Sequence, residues 1–449
     1  MSDRPKGYDE ERLPRYTSYP TAPHFSEAVT AQFYEGWLAG LPSSVKASLY
    51  LHVPFCRSMC WYCGCHTTIT PRDEPIENYV GIMRREIELV ARRLSAPLTV
   101  QHIHFGGGTP TIVEPRTFVA LAASLRSTFN VAADAEIAVE IDPRTLAPAM
   151  IDALGEAGVT RASMGVQSFD PVVQRAVNRI QSAASTAAAA DGLRAAGVGG
   201  INFDLIYGLP LQTVRSCVET VEQCLAMQPD RFSVFGYAHI PSFKKHQRKI
   251  DECDLPGSAA RREQAEAIAR ALVDAGYVRI GLDHFARPGD AMVRAQRNGE
   301  LRRNFQGYTT DPGDALIGFG ASAIGRVPQG YVQNEVVLGR YADRVMQDRL
   351  PTAKGYRLTS DDLLRAELIE RLMCDLDVDI EEICARHRTP LDRLTPSLSR
   401  LRALDREGLV DFDGRRVVVA ADARMLVRTV ASVFDAYLGS SERMFSRAV

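Results

Sequence analysis

Three places in the sequence repeat one local event. Ala157-Gly158-Val159, Ala196-Gly197-Val198 and Ala275-Gly276-Tyr277 each close a helical stretch and open a β-rich run. Glycine suits the left-handed position that ends a helix. Between such junctions the chain alternates short β-rich runs with amphipathic stretches from about residue 47 to 320. The clearest runs are Ser48–Val53, Gln101–Phe105, Glu136–Ile141, Arg161–Gly165, Ile201–Ile206 and Phe232–Tyr237. Ile76, Tyr79, Met83, Ile87, Val90 and Leu94 step by three and four, one face of a helix. Pro115 behind Glu114 and Pro171 behind Asp170 mark helix starts. Six β–α units with right-handed crossovers predict an α/β fold, a partial or full (β/α) barrel. A doubly wound open sheet is the alternative.

Beyond Gly330 the alternation stops. Helices are expected over Asp361–Cys374 and Pro396–Glu407, the second with Thr395 as its cap, and a hairpin over Leu409–Val419 turning at Asp413-Gly414. The division expected is an N-terminal arm over 1–45, a catalytic barrel over 46–350 and a mostly helical C-terminal domain over 351–449, jointed at Pro351–Gly355. The arm, rich in Pro, Tyr and Thr, either lies ordered over the barrel mouth or is a loose tail.

Polar residues recur where each strand ends. The cysteine-rich loop follows the first strand and Gly106-Gly107-Gly108 the second. The third carries Glu140 and Asp142, the fourth leads to Gln167, the fifth carries Asp204 and the sixth leads to His239. Barrel active sites form at that rim.

Cys56, Cys60, Cys63 and Cys65 fall within ten residues. Spacings of three residues and then two gather three thiolates round a compact loop, and thiolates are the usual ligands of iron–sulfur clusters. Three ligands leave one iron of a cubane open for chemistry. Structural zinc wants a second ligand pair, which the sequence does not offer, and a disulfide switch needs only two thiols. Cys217 and Cys224 share a helix face and read as packed thiols. His102 and His104 alternate on a strand and read as one buried face with a bonded imidazole. A net charge of -2 gives no general pull towards nucleic acid, and no apolar run approaches a membrane span. A cytoplasmic protein is expected.

The Cys-x3-Cys-x2-Cys spacing after the first strand, with aromatic Tyr62 before the last Cys, resembles the radical S-adenosylmethionine superfamily. YLHVPFCRSMCWYCGCHT, with HFGGGTPT, VEIDPR, SMGVQSFD, VNRIQ, FDLIYGLP, YAHIP, DHFARP, RNFQGYTT, PRYTSYPTA and the closing FSRAV, is similar to the oxygen-independent coproporphyrinogen III oxidases. The resemblance implies a radical S-adenosylmethionine barrel. It implies a [4Fe–4S] cluster on Cys56, Cys60 and Cys63, and two S-adenosylmethionine molecules. Tyr50, Gly107, Glu140 and Ile324 match the positions for the first molecule. Tyr62, Gly108, Thr109, Gln167, Arg179, Asp204 and Ala238 match those for the second.

On the residues alone, Glu140 and Asp204 offer acceptors for ribose hydroxyls or an ammonium group, with rim ion pairs as the alternative, and Arg179 suits a methionine carboxylate, with a helix-end partner as the alternative. The implied reaction turns two propionates of coproporphyrinogen III into vinyl groups, giving protoporphyrinogen IX, and draws on a low-potential electron donor. A monomer is expected. Cys65 lies near the site without being an iron ligand, either as a catalytic thiol or as a packed one. Arg15, Arg287 and Arg303 are candidate cations for the propionates. Trp61, Tyr62 and Gly236 stand where tyrosine, phenylalanine and asparagine are usual in the family. The rival readings are a haem-binding chaperone of the same family and another radical enzyme such as a methyltransferase.

Overall fold

The computed structural model describes Tyr8 and residues 11–438; the first residues of the arm and the closing FSRAV lie outside that range. Six parallel strands form in sequence order: β1 (Lys46–Val53), β2 (Thr99–Gly107), β3 (Asn130–Ile141), β4 (Arg161–Gln167), β5 (Gly200–Tyr207) and β6 (Arg231–Gly236). Helices cross between them: α1 (Glu74–Ala91), α2 (Pro115–Thr128), α3 (Pro148–Glu156), α4 (Ala183–Ala195) and α5 (Val214–Ala226). Gly158, Gly197 and Gly276 sit at φ +72°, +90° and +88°, where an L side chain is strained. Glu114 and Asp170 each accept from backbone N–H groups one turn on.

Alternation along the strands builds two faces. Ala47, Leu49, Leu51 and Val53 of β1, and Ile201, Phe203 and Leu205 of β5, pack outward against the helices. Ser48, His104, Glu140, Ser163, Asp204 and Ser233 turn inward and line a shared cavity of about 200 Å³. Residues from β1 to β6 meeting round one cavity show that the sheet curls. His102 and His104 are therefore not on the buried face that their spacing suggests. They are half-buried on the polar inner face, where His104 Nε2 lies 3.1 Å from Glu140 Oε1.

The barrel is partial. Beyond β6 the sheet continues antiparallel through β7 (Val278–Ile280) and β8 (His284–Ala286). On the other side, β9 (Ala315–Phe319) runs parallel to β1. It leads to antiparallel β10 (Ile324–Val327), β11 (Gly330–Asn334) and β12 (Thr352–Arg357). The twelve strands run in the order β12-β11-β10-β9-β1-β2-β3-β4-β5-β6-β8-β7. The joint expected at Pro351–Gly355 is thus an edge strand, because its backbone pairs with β11. The sheet runs on to Arg357.

After it, helices Ser360–Asp375, Ile380–Arg386 and Thr395–Arg406 pack round the hairpin Val410–Phe412 and Arg416–Val419, to which Asp377–Asp379 adds a third strand. Thr395 is the first helical residue and not its cap; its hydroxyl donates back to Asp392 O at 2.6 Å. The arm is ordered. Tyr16 and Tyr19 bury themselves in the C-terminal apolar cluster, and Ser26 exchanges backbone hydrogen bonds with Gly355 on the β12 edge.

Candidate active site

The cysteine loop leaves β1 and is held mainly by its own carbonyls. Asn178 Nδ2 donates to Met59 O at 2.8 Å, Gln247 Nε2 to Tyr62 O at 3.0 Å and Lys244 Nζ to Cys65 O at 2.9 Å. His246 Nε2 lies 2.7 Å from Cys63 O. The loop's shape is therefore fixed from outside through its backbone carbonyls.

Cys56 Sγ has the Thr109 and Thr67 hydroxyls at 3.3 Å. Cys60 Sγ faces Arg144 Nη2 at 3.4 Å and Arg179 Nη1 at 3.5 Å. A hydrogen bond from Cys65 draws the Cys63 thiol down to about 6 against the opposing effect of burial. The same bond pushes Cys65 well up. Among the described residues no three His, Cys, Asp or Glu side chains converge on one ion-sized point. A cubane does not require that, since each thiolate takes a different iron. Thiols near cationic and hydroxyl donors fit an anionic cluster.

Beside the loop, β2 passes through its glycines. Gly107 holds φ +121° and donates its N–H to Glu140 Oε2 at 3.0 Å. A Cβ on Gly108 would stand 2.6 Å from Phe55 O, so only glycine lets this strand end lie against the cysteine loop. Burial raises the Glu140 carboxyl, but His104 and the Gly107 N–H outweigh it and hold the group below its usual range. Tyr50 Oη lies 3.0 Å from His52 Nδ1, and burial keeps His52 at about 4, hence neutral. Ile324 opens β10, and its carbonyl borders Gly318, the residue paired in register with Tyr50.

The other expected residues lie further along the rim. Gln167 sits at φ +67° with its Oε1 buried and unpartnered. Burial raises Asp204 to about 6 while Ser163 Oγ, at 2.8 Å, opposes it. Arg179 pairs with Asp142 at 3.2 Å and donates to Gly165 O at 2.6 Å, leaving its Nε buried without a partner. It lies beyond its helix end and serves no helix terminus. Tyr62 packs on Val173, Val177, Leu209, Tyr237 and Ile250, and Ala238 O accepts from Gln247 Nε2 at 3.2 Å. Arg144, closed on Asp142 at 2.6 Å, is a neighbour of Cys60 that no sequence pattern singled out.

Cys65 and Ala238 stand at the wall of a second, larger cavity of about 870 Å³. Arg12, Arg15, Arg261, Arg279, Arg303 and Arg428 line it, against two carboxylates, Asp283 and Glu252. Burial, then neighbouring Arg15, lowers Arg428 to about 10. Asp283 is held at about 2, because His284 and the surrounding arginines outweigh its burial. Arg303 stacks over the Tyr308 ring at 4.4 Å and keeps Nε unpartnered. Of the three candidate cations, Arg15 and Arg303 reach this cavity. Arg287 does not: its Nε and Nη2 donate to Pro229 O and Gln228 O at 3.0 and 2.8 Å, carbonyls that also accept from Tyr277 and Arg194. Arg12, Arg261, Arg279 and Arg428 carry no local signal, since the arm, the helix Ser258–Asp274, strand β7 and the C-terminal domain bring them together only in three dimensions.

Residues 50–224 match the family model described as the radical SAM superfamily. The chain is 60% identical over 448 residues to an oxygen-independent coproporphyrinogen III oxidase of Bradyrhizobium diazoefficiens, covering 100% of both chains. It is 41% identical to one from Paracoccus denitrificans, covering 96% of this chain and 95% of the relative. Among solved structures, a coproporphyrinogen III oxidase from Escherichia coli, described as a radical SAM enzyme, superposes with a TM-score of 0.90. It is 38% identical, and the match covers 95% of this chain and 100% of that one.

Proposed function

The chain belongs to the oxygen-independent coproporphyrinogen III oxidases of the radical S-adenosylmethionine superfamily, and on that premise we propose that its two neighbouring chambers divide the work. It is an enzyme that oxidatively decarboxylates two propionates of coproporphyrinogen III to vinyl groups, with a [4Fe–4S] cluster and S-adenosylmethionine as cofactors. When bound, these supply a 5′-deoxyadenosyl radical by one-electron cleavage of S-adenosylmethionine.

Cys56, Cys60 and Cys63 hold the cluster. Tyr50, Gly107, Glu140 and Ile324 receive the S-adenosylmethionine at the cluster, with Glu140 ionised and ready to accept hydrogen bonds. Tyr62, Gly108, Thr109, Gln167, Arg179, Asp204 and Ala238 receive a second molecule. The unpartnered Gln167 Oε1 and Arg179 Nε support this, because buried polar atoms seldom go without partners.

One observation carries the substrate reading. The arginine-lined cavity meets the cysteine loop at Cys65. Coproporphyrinogen III carries four propionates, and clustered guanidinium groups suit carboxylates as bidentate donors. The arm closes one side of that cavity, where Arg15 Nη2 donates to Gly236 O at 3.2 Å. Cys65 lies between cluster loop and substrate cavity and is not an iron ligand. No helix among the described residues is long and apolar enough to cross a membrane. We place the enzyme in the cytoplasm as a monomer, reduced by a low-potential donor.

The test is an anaerobic assay with coproporphyrinogen III, S-adenosylmethionine and reductant, followed by chromatography of the tetrapyrroles. The divinyl product is expected. Tight haem binding without any vinyl product would favour the chaperone reading.

A further inference from the structure

The segment that grips the cysteine loop from outside is unlike the rest of the chain. Phe243-Lys244-Lys245-His246-Gln247-Arg248-Lys249 contains four cations and no acid, in a protein whose net charge is -2. Three of its residues, Lys244, His246 and Gln247, spend their side chains on the carbonyls of Cys65, Cys63 and Tyr62. The remaining ones point away. Lys245, Arg248 and Lys249 are exposed, and Phe243 is 78% exposed, an unusual position for a phenylalanine.

The surface continues from there across the back of the loop. Trp61, which follows Cys60, lines a shallow depression of about 400 Å³ with Val172, Arg175, Leu211 and Lys249. Lys249 Nζ lies 5.5 Å from the Trp61 ring centre, Arg175 is exposed, and Val172 and Leu211 are 46% and 43% exposed. Three acids follow the basic run; Asp251 and Asp254 share the depression and Glu252 pairs with His239, so Arg175, Lys245, Arg248 and Lys249 outnumber them by one. The result is a face of large apolar side chains on which cations outnumber acids, seated on the outside of the cluster loop and adjoining the large cavity's rim at Pro241, Ser242 and Glu252.

Resting on the radical S-adenosylmethionine reading, we propose that this face, built from Phe243, Lys245, Arg248 and Lys249 with Val172, Arg175 and Leu211, docks a small acidic one-electron carrier protein that reduces the cluster. The cluster gains one electron per encounter and the carrier loses one; no atoms are exchanged. Charge complementarity selects the partner's sign. Basic rims steer acidic partners and raise their association rate, most strongly at low salt. Exposed Phe243, Val172 and Leu211 provide the apolar contact that a charged rim alone lacks. Contact with the loop places the carrier's centre next to the thiol ligands.

The experiment compares wild type with the double variant K245E/R248E and with F243A, none of which alters a side chain bonded to the cysteine loop. A flavodoxin is the acidic probe. Its binding to each protein is measured by calorimetry at two salt concentrations, with and without iron loaded. Cluster reduction is followed by anaerobic stopped-flow absorbance, once with flavodoxin hydroquinone and once with photoreduced 5-deazariboflavin, an uncharged small reductant. The expected result is at least a tenfold loss of flavodoxin affinity and reduction rate in K245E/R248E, a smaller loss in F243A, steep salt dependence in wild type, and unchanged reduction by deazariboflavin. Equal flavodoxin binding by wild type and K245E/R248E, or salt-independent binding, would overturn the docking face. If no cluster forms, the radical reading fails instead, and the binding titration on the iron-free chain still decides the face.

Discussion

The Arg179 guanidinium lies 3.2 Å from an Asp142 carboxylate oxygen, and the pair sits against Cys60, whose Sγ is 3.5 Å from Arg179 Nη1. Both side chains are nearly buried, at 7% and 12% exposed. Removing one member of such a pair strands the other in a poorly solvated place. Arg144 shares Asp142, which softens the loss. Arg179→Ala is expected to destabilise the fold by about 3 kcal/mol and to weaken S-adenosylmethionine binding more than it lowers iron content. Arg179→Lys is expected to recover stability but little affinity, since a single ammonium cannot serve Asp142, Gly165 O and a ligand at once. Denaturant unfolding and equilibrium dialysis of S-adenosylmethionine read the two effects separately.

Cys65 presents its thiol to Cys63 and to the substrate cavity at the same time. Alanine at Cys56, Cys60 or Cys63 is expected to abolish the iron–sulfur absorbance after anaerobic reconstitution. Cys65→Ala is expected to retain it while losing turnover. Iron loss in Cys65→Ala comparable to that in Cys63→Ala would make Cys65 a ligand and refute the assignment.

The arginine cavity predicts a split between binding and chemistry. Arg303→Met and Arg428→Met are each expected to raise KM for coproporphyrinogen III about tenfold, equivalent to about 1.4 kcal/mol per lost carboxylate contact. Both should lower kcat far less. Arg287→Met is the control: its guanidinium serves the Gln228 and Pro229 carbonyls, so KM should stay put while thermal stability drops. A raised KM in Arg287→Met, or none in Arg303→Met, would move the substrate elsewhere.

These cases show what a sequence discloses and what it withholds. β1 to β6 were legible because alternate residues such as Leu49 and Leu51 must face helices, and because Gly158 and Gly197 mark each turn. The antiparallel strands β10 to β12 were not legible. They are short, no helix separates β9, β10 and β11, and Gly325, Gly330 and Gly355 interrupt their pattern. Rim residues such as Glu140 and Gln167 were accessible, since a strand's end is a local property. The cavity arginines were not: Arg12 and Arg428 meet only when the arm crosses to the C-terminal domain, where Arg428 Nη1 donates to Leu13 O at 3.4 Å. Arg287 misled because only its place in the DHFARP motif suggests the cavity, while its side chain turns to the Pro229 and Gln228 carbonyls.

Glu86, far from the rim's chemistry, gives a prediction about stability. It is buried on α1, with Oε1 accepting from Asn334 Nδ2 at 2.7 Å and Oε2 accepting from Gly320 N at 2.7 Å and Tyr341 Oη at 2.6 Å. Burial pushes its carboxyl from 4.5 to about 7, although the three donors oppose the rise. The folded chain thus holds a proton that the unfolded chain releases near pH 4.5. The group's contribution to stability is greatest below that pH and is lost as pH rises through about 7, by about 3 kcal/mol at most. Glutamine cannot substitute cleanly, because its NH₂ must face one of the three donors. A protonated carboxyl avoids this conflict by donating to Tyr341 Oη while still accepting from Gly320 N. Glu86→Gln is therefore expected to cost about 1–3 kcal/mol at pH 5, and the gap to wild type should narrow by pH 8, where wild type has lost the proton. Paired denaturant titrations at the two pH values measure the gap; one that widens with pH would show that Glu86 folds ionised.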